Sequence, residues 1–184
     1  MLTGKVDENI EVFLPKGLSA NLLIAWTRTN EDLSVTTSVI KDAGDDPDVT
    51  HGAEICSTVS FLPSQGQVIV DGGKGVGRIT KPGLGLELGK AAINPVPFSM
   101  ITQVVKEVAK DQLNSHGFKV VISVPRGEEI AKQTDNPRLG ITGGISILGT
   151  SGIVLPYSTA SFAASIRQSM DVSLAMGTDT VILT

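Results

Sequence analysis

The chain has 184 residues, 41% of them hydrophobic and 18% charged, enough to bury one sizeable core or two small lobes. A formal net charge of −4 without any basic cluster argues against a nucleic-acid footprint, and no run of about 18 apolar residues offers a bilayer span. The single cysteine, Cys56, excludes an internal disulfide framework and fits a reducing cytoplasm, and Met1 to Val6 has no apolar stretch of the kind that a signal peptide carries.

The first 71 residues read as a strand meander, because short β-branched runs are broken by turn residues: IEVFLP, NLLIAWTRT, LSVTTSVIK, AEICSTVSFL and QVIVD. Within the fourth, Ile55, Ser57, Val59 and Phe61 fall on one face and Glu54, Cys56, Thr58 and Ser60 on the other. From Asp71 to Pro97 the texture turns to glycine and proline, which predicts a long, structured and functional loop. A helix follows, with Ile101, Val104, Val105 and Val108 as its buried stripe and Gly117 as its stop. FKVVISV is then a buried strand, GEEIAKQ a short helix, GISILG a strand or apolar loop, and Ser158 to Met176 a helix opened by a capping serine. The terminal DTVILT reads as a strand. Because such a strand in an α/β arrangement is ordinarily followed by a covering helix, the chain is expected to be part of something longer.

Three stretches could carry chemistry. KDAGDDPDVTHG, residues 41–52, gathers carboxylates and one of the two histidines around Pro47. It lacks the ligand alternation of a calcium loop and the imidazoles or thiolates of a transition-metal site, so it reads as a polar turn, with Asp45, Asp46, Asp48 and His51 as its possible ligand contacts. DGGKGVGR, residues 71–78, sets bare amides beside Lys74 and Arg78, an anion cradle or simply a tight bend. It has neither a following helix pattern nor Walker spacing. NPRLGITGGISILGTSGIVLP, residues 136–156, is hydrophobic with glycines at 140, 143, 144, 149 and 152, which suits a close approach by a ligand or by another backbone. Neither histidine has a serine or cysteine nearby in a nucleophile setting, and paired-carboxylate hydrolysis finds no positive support.

Taken in order, KDAGDDPDVTHGAEI, DGGKGVGRITKPGL, AAINPVP and NPRLGITGGISILGTSGIV resemble one family, the cobalt-precorrin-5B (C1)-methyltransferases of anaerobic cobalamin biosynthesis, over nearly four fifths of the chain from about Val39. The resemblance implies methyl transfer from S-adenosylmethionine to carbon 1 of a cobalt-bearing tetrapyrrole, giving cobalt-precorrin-6A. Cobalt would then arrive within the substrate, and no metal site of the protein's own is expected. Members of that family usually begin with a glycine-, threonine- and cysteine-rich segment and continue past the equivalent of DTVILT into a further α/β portion.

A ring fringed with acetates and propionates wants scattered cations and backbone donors above an apolar floor. Methyl transfer to an electron-rich carbon leans on positioning more than on a strong base, so no catalytic residue is assigned. The expected protein is α+β, a β-rich part over residues 1–96 packed against an α/β part over 97–184, with the motif loops converging where they meet. Gly143, Gly144, Gly149 and Gly152 are the expected cofactor contacts. Lys74, Arg78, Lys81, Asn94, Arg138, Asp46 and His51 are the expected substrate contacts, with Arg126 as a further cation beside the loops. The rivals are a non-catalytic tetrapyrrole-binding module and, more remotely, a nucleotide-dependent enzyme built on DGGKGVGR.

Overall fold

The computed structural model describes residues 4, 6–149, 152–180 and 182. Its centre is a five-stranded mixed sheet. The strands β3 (Trp26–Thr29), β4 (Val35–Ile40) and β5 (Glu54–Leu62) run as an antiparallel meander, and β6 (Val68–Gly72) forms the far edge. Between β5 and β6 lies β9 (Gly117–Ser123), antiparallel to the first and parallel to the second. A strand from residues 97–184 is thus enclosed by strands from residues 1–96, and the two parts share one sheet. Ahead of it, β1 (Asn9–Leu14) and β2 (Leu18–Leu23) make a separate hairpin. The expected single strand NLLIAWTRT is divided because its partners change: Ile24 N–H donates to Glu8 O, whereas Ala25 N–H donates to Ser38 O.

The connection from β6 to β9 runs through β7 (Gly75–Val76), β8 (Arg78–Ile79) and the helix α1 (Pro95–Ala109). That helix starts at a proline, whose fixed φ suits a first turn. Of its expected buried stripe, Ile101 and Val105 pack on the core, while Val104 and Val108 are exposed. The inward seam of this helix is therefore a single i, i+4 row, Pro97, Ile101, Val105 and Ala109. Nor does Gly117 stop it. The helix ends at Ala109 with Lys110 at positive φ, and Gly117 instead opens β9, where any side chain would meet the Gln67 carbonyl oxygen at 2.7 Å.

The elements α2 (Gly127–Ala131), α3 (Asn136–Leu139), β10 (Ile141–Thr142), β11 (Gly144–Ile145) and α4 (Thr159–Ala175) complete the order. GISILG gives only the short β11 before it becomes loop. On β5, Ile55 and Val59 pack on the core, while Cys56 on the opposite face is buried as well and Phe61 stays exposed. Of DTVILT, Asp179, Thr180 and Ile182 have no regular structure, and Val181, Leu183 and Thr184 lie outside the described residues.

Two apolar clusters hold these pieces together. One joins Val76, Ile93, Val120, Ile122, Val124 and Ile145 under the sheet. The other joins Ile79, Ala92, Leu139, Ile141 and Val172, with Leu84 and Leu86 packed against it. Each takes members from the glycine loop and from the 136–156 stretch, so burial of apolar side chains ties those segments to each other. Ser158 caps α4 by accepting from Ser161 N–H at 3.2 Å. Ser158→Ala is expected to lower unfolding free energy by about 1 kcal/mol, measured by urea denaturation, and an unchanged midpoint would show that the cap contributes nothing.

Candidate functional site

The two glycine-rich stretches meet as backbone against backbone. The short strands β7 and β11 pair in parallel, Gly144 opposite Gly75 and Ile145 opposite Val76, and β8 pairs antiparallel with β10, Ile141 opposite Ile79 and Thr142 opposite Arg78. A side chain on Gly144 would overlap the Gly75 carbonyl, and one on Gly75 would overlap that of Val124. Only glycine permits chains to approach so closely.

Beside this junction lies a cavity of about 520 Å³ between the two apolar clusters. Leu84, Leu86, Ile141, Ile145, Ile147 and Val154 give it apolar walls. Polar groups enter at separate points: Asn94, Asp135, Asn136, Ser146 and, from α4, Ser165 and Gln168. Asn94 stands at the N-cap of α1, yet its side chain makes no capping bond. Asn136 is buried, donates to Gly144 O at 3.2 Å and accepts from Ser146 Oγ at 3.4 Å, and so fixes one side of the site to the backbone junction.

The aspartate-rich turn reaches the same cavity through Lys41, Asp48 and Thr50. Its side chains mostly close the turn on itself. Lys41 Nζ donates to Asp48 and Thr50, Thr50 N–H donates to Asp48 Oδ1 at 2.8 Å, Gly44 N–H donates to Asp42 Oδ1 at 2.8 Å, and Ala43 N–H donates to His51 Nδ1 at 3.1 Å. Partial burial pushes the Asp48 carboxyl up, but hydrogen bonds from Lys41 and Thr50 outweigh it and hold the group below the usual carboxylate range. Among the described residues no group of three or more His, Cys, Asp or Glu could hold a metal ion. Burial, reinforced by the neighbouring Glu54 carboxylate, pushes the Cys56 thiol up, away from the thiolate that a nucleophile needs.

Of the expected cofactor glycines, Gly149 and Gly152 line the cavity. Gly144 serves the backbone junction instead, and Gly143 faces open space at positive φ. Of the expected substrate residues, Asn94 lines the cavity. Arg78 forms a two-point ion pair with Asp71, at 2.7 and 3.2 Å, and donates to Gly72 O at 2.6 Å. Lys81 donates to Arg138 O at 3.1 Å, and Arg138 itself stands exposed 3.7 Å from Asp135. Asp46 accepts from Tyr157 N–H at 3.3 Å, His51 holds the turn, Arg126 pairs with Glu129 at 3.2 Å, and Lys74 is exposed. Sequence reasoning missed Lys41, Asn136, Ser146, Leu84 and Leu86. Asn136 carried a local signal as the residue before Pro137 in the third stretch, whereas the leucines had none beyond their place between glycines.

The CbiD family matches residues 1–156, and the chain belongs to that family. A cobalt-precorrin-5B C(1)-methyltransferase of Geobacillus kaustophilus (strain HTA426) is 54% identical over 184 residues, all of this chain and 49% of that protein. One of Priestia megaterium is 48% identical, again over all of this chain and 50% of its own length. The crystal structure of a cobalamin biosynthesis protein (cbiD) from Archaeoglobus fulgidus superposes with a TM-score of 0.61 at 26% identity, over 91% of this chain and 52% of that one. The chain thus spans about half the length of the curated relatives it matches. No helix among the described residues is long and apolar enough to cross a membrane.

The lowered Asp48 carboxyl makes the turn that borders the cavity sensitive to acid. A group that binds protons less readily folded than unfolded stabilises the fold fully above its unfolded value of about 3.9 and loses that contribution as pH falls through the lowered folded value. In acid titrations followed by circular dichroism, Asp48→Asn protein is expected to be less stable than the parent near neutral pH and to lose stability less steeply below about pH 4. Parallel curves would remove Asp48 from that role.

Proposed function

We propose that this chain carries part or all of the site of a C-methyltransferase acting in the cytoplasm in anaerobic cobalamin biosynthesis, moving a methyl group from S-adenosylmethionine to carbon 1 of cobalt-precorrin-5B to give cobalt-precorrin-6A. The observation that carries this is the junction of residues 75–79 with 141–145, which draws the glycine loop and the 136–156 stretch around one cavity. Membership of the CbiD family and the names of the relatives supply the chemistry to test.

The cavity fits the donor. Its volume lies within the roughly 300–1,000 Å³ typical of small-molecule sites, and its mix of apolar wall and a few separated polar groups suits an adenosyl group joined to an amino acid. Asn94 and Asp135 would hold the donor's polar ends, and Gly149 and Gly152, both at positive φ, would bring backbone against it. Bound there, S-adenosylmethionine would supply an electrophilic methyl, the electron-rich ring carbon giving the pair for the new carbon–carbon bond and sulfur keeping the pair of the broken one as a neutral thioether. The walls formed by Ile145, Ile147 and Val154 exclude water from such a cation, and positioning of the two reactants carries most of the acceleration. The residues 41–50 contribute a rigid border, not a metal ligand set.

Calorimetry with S-adenosylhomocysteine tests the assignment. Gln168→Trp, which places an indole at the α4 side of the cavity, is expected to weaken binding at least about tenfold through steric exclusion. Unaltered affinity in that variant would move the donor elsewhere. Tetrapyrrole binding with no heat from the donor product would favour a non-catalytic carrier of the ring.

A further inference from the structure

Among the described residues the buried polar side chains are Ser34, Thr36, Ser38 and Asn136. The first three engage their hydroxyls inside the sheet. Ser34 Oγ donates to Asp32 Oδ1 at 2.6 Å, Thr36 and Thr58 share a bond of 2.8 Å, and Ser38 Oγ donates to Glu54 Oε1 at 2.8 Å. Asn136, only 7% exposed, lines the 520 Å³ cavity instead. A second cavity of about 540 Å³ shares Leu86 with the first, but its charged residues, Asp71, Glu87 and Lys90, are not buried and present both signs.

A side-chain amide carries two N–H donors and two oxygen lone pairs. In Asn136 one donor goes to Gly144 O at 3.2 Å and one lone pair receives Ser146 Oγ at 3.4 Å, so one of each remains. Left in apolar packing, those groups would be destabilising, and the cavity is where they can meet a partner. The amide also has a fixed sense. A carbonyl oxygen only accepts, so Nδ2 must face Gly144 O, and turning the amide over would set Oδ1 against that oxygen. Gly144 cannot move to relieve such a clash, because it is paired with Gly75 at the backbone junction. On the other side Asn136 N–H donates to Thr134 Oγ1 at 3.2 Å, which holds the residue at the start of α3.

We propose that Asn136 is the specificity-determining residue for the donor's base, selecting adenine over a 6-keto purine. The proposal rests on the donor assignment made above. Adenine offers an amino group that donates, beside ring nitrogens that accept, and these match the remaining lone pair and the remaining N–H one to one. Hypoxanthine replaces the amino group with an oxygen that accepts, so it needs the amide turned over, which Gly144 O forbids. Leu139, Ile141 and Ile145, also on the cavity wall, give the flat base apolar surface to lie against. The close crossing of two glycine backbones thereby reaches the ligand as a choice between two bases.

Calorimetry on the full chain compares adenosine with inosine and S-adenosylhomocysteine with S-inosylhomocysteine. In each pair the adenine compound is expected to bind at least about tenfold more tightly. Asn136→Ala is expected to bring both ratios to within about twofold. Because that residue is buried, a second measurement uses the unaltered chain: the Asn136 side-chain amide resonance in a nitrogen-15 spectrum is expected to shift with adenosine and to stay in place with inosine. Equal binding within the pairs, ratios that survive Asn136→Ala, or an Asn136 resonance unmoved by adenosine overturns the proposal. Failure of the donor assignment reads differently: S-adenosylhomocysteine gives no heat while adenosine binds and is preferred to inosine, which keeps the base reading. No heat from any of the four compounds overturns both.

Discussion

The close crossing of two glycine-opened backbones, Gly75 against Gly144, is the constraint on which the site depends. Main-chain groups that pair with no side chain between them place residues 75–79 and 141–145 within hydrogen-bond distance, and everything attached to either stretch inherits that alignment. Asn136 bonds to the Gly144 carbonyl, Thr80 to the Gly140 carbonyl, and Asn94 N–H to the Ile147 carbonyl. Walls of a cavity built in this way are set by backbone, which moves less than side chains do. That property suits chemistry in which placement of two reactants matters more than proton transfer.

Electrostatics is organised around the same joint. Arg78, a natural candidate for a substrate carboxylate, is committed to Asp71 and to the Gly72 carbonyl, and it thereby tethers the end of β6 to β8. Burial pushes the Asp71 carboxyl up, yet Arg78 and the Gly72 amide more than offset that and keep it ionised. Lys41 plays the corresponding part for Asp48 in the aspartate-rich turn. In a chain with few charges, Arg78 and Lys41 thus have structural duties first.

Most elements were legible because their signals are local. Alternation marked β4 and β5, the apolar run marked β9, and Ser158 marked the start of α4 to the residue. What was not legible depends on distant partners. The run NLLIAWTRT divides only because Glu8 and Ser38 claim adjacent amides, and Gly117 looks like a helix stop until the Ser64 and Gln67 carbonyls are seen pressing on it. The site followed the same rule. Glycine spacing pointed to the stretches that meet at the backbone junction but not to the division of labour within them, by which Gly144 packs against backbone while Gly149 and Gly152 face a cavity. Leu86, which lines two cavities, had no periodicity to announce it.

The position of β9 between β5 and β6 also bears on how the protein is made. During synthesis β6 leaves the ribosome with its ladder partner still some 45 residues behind, so β5 and β6 present unpaired apolar edges until Ser123 has emerged. The nascent chain must keep those edges apart across the whole glycine-rich interval and α1. Slow assembly is the expected cost of a sheet in which an interior strand arrives last.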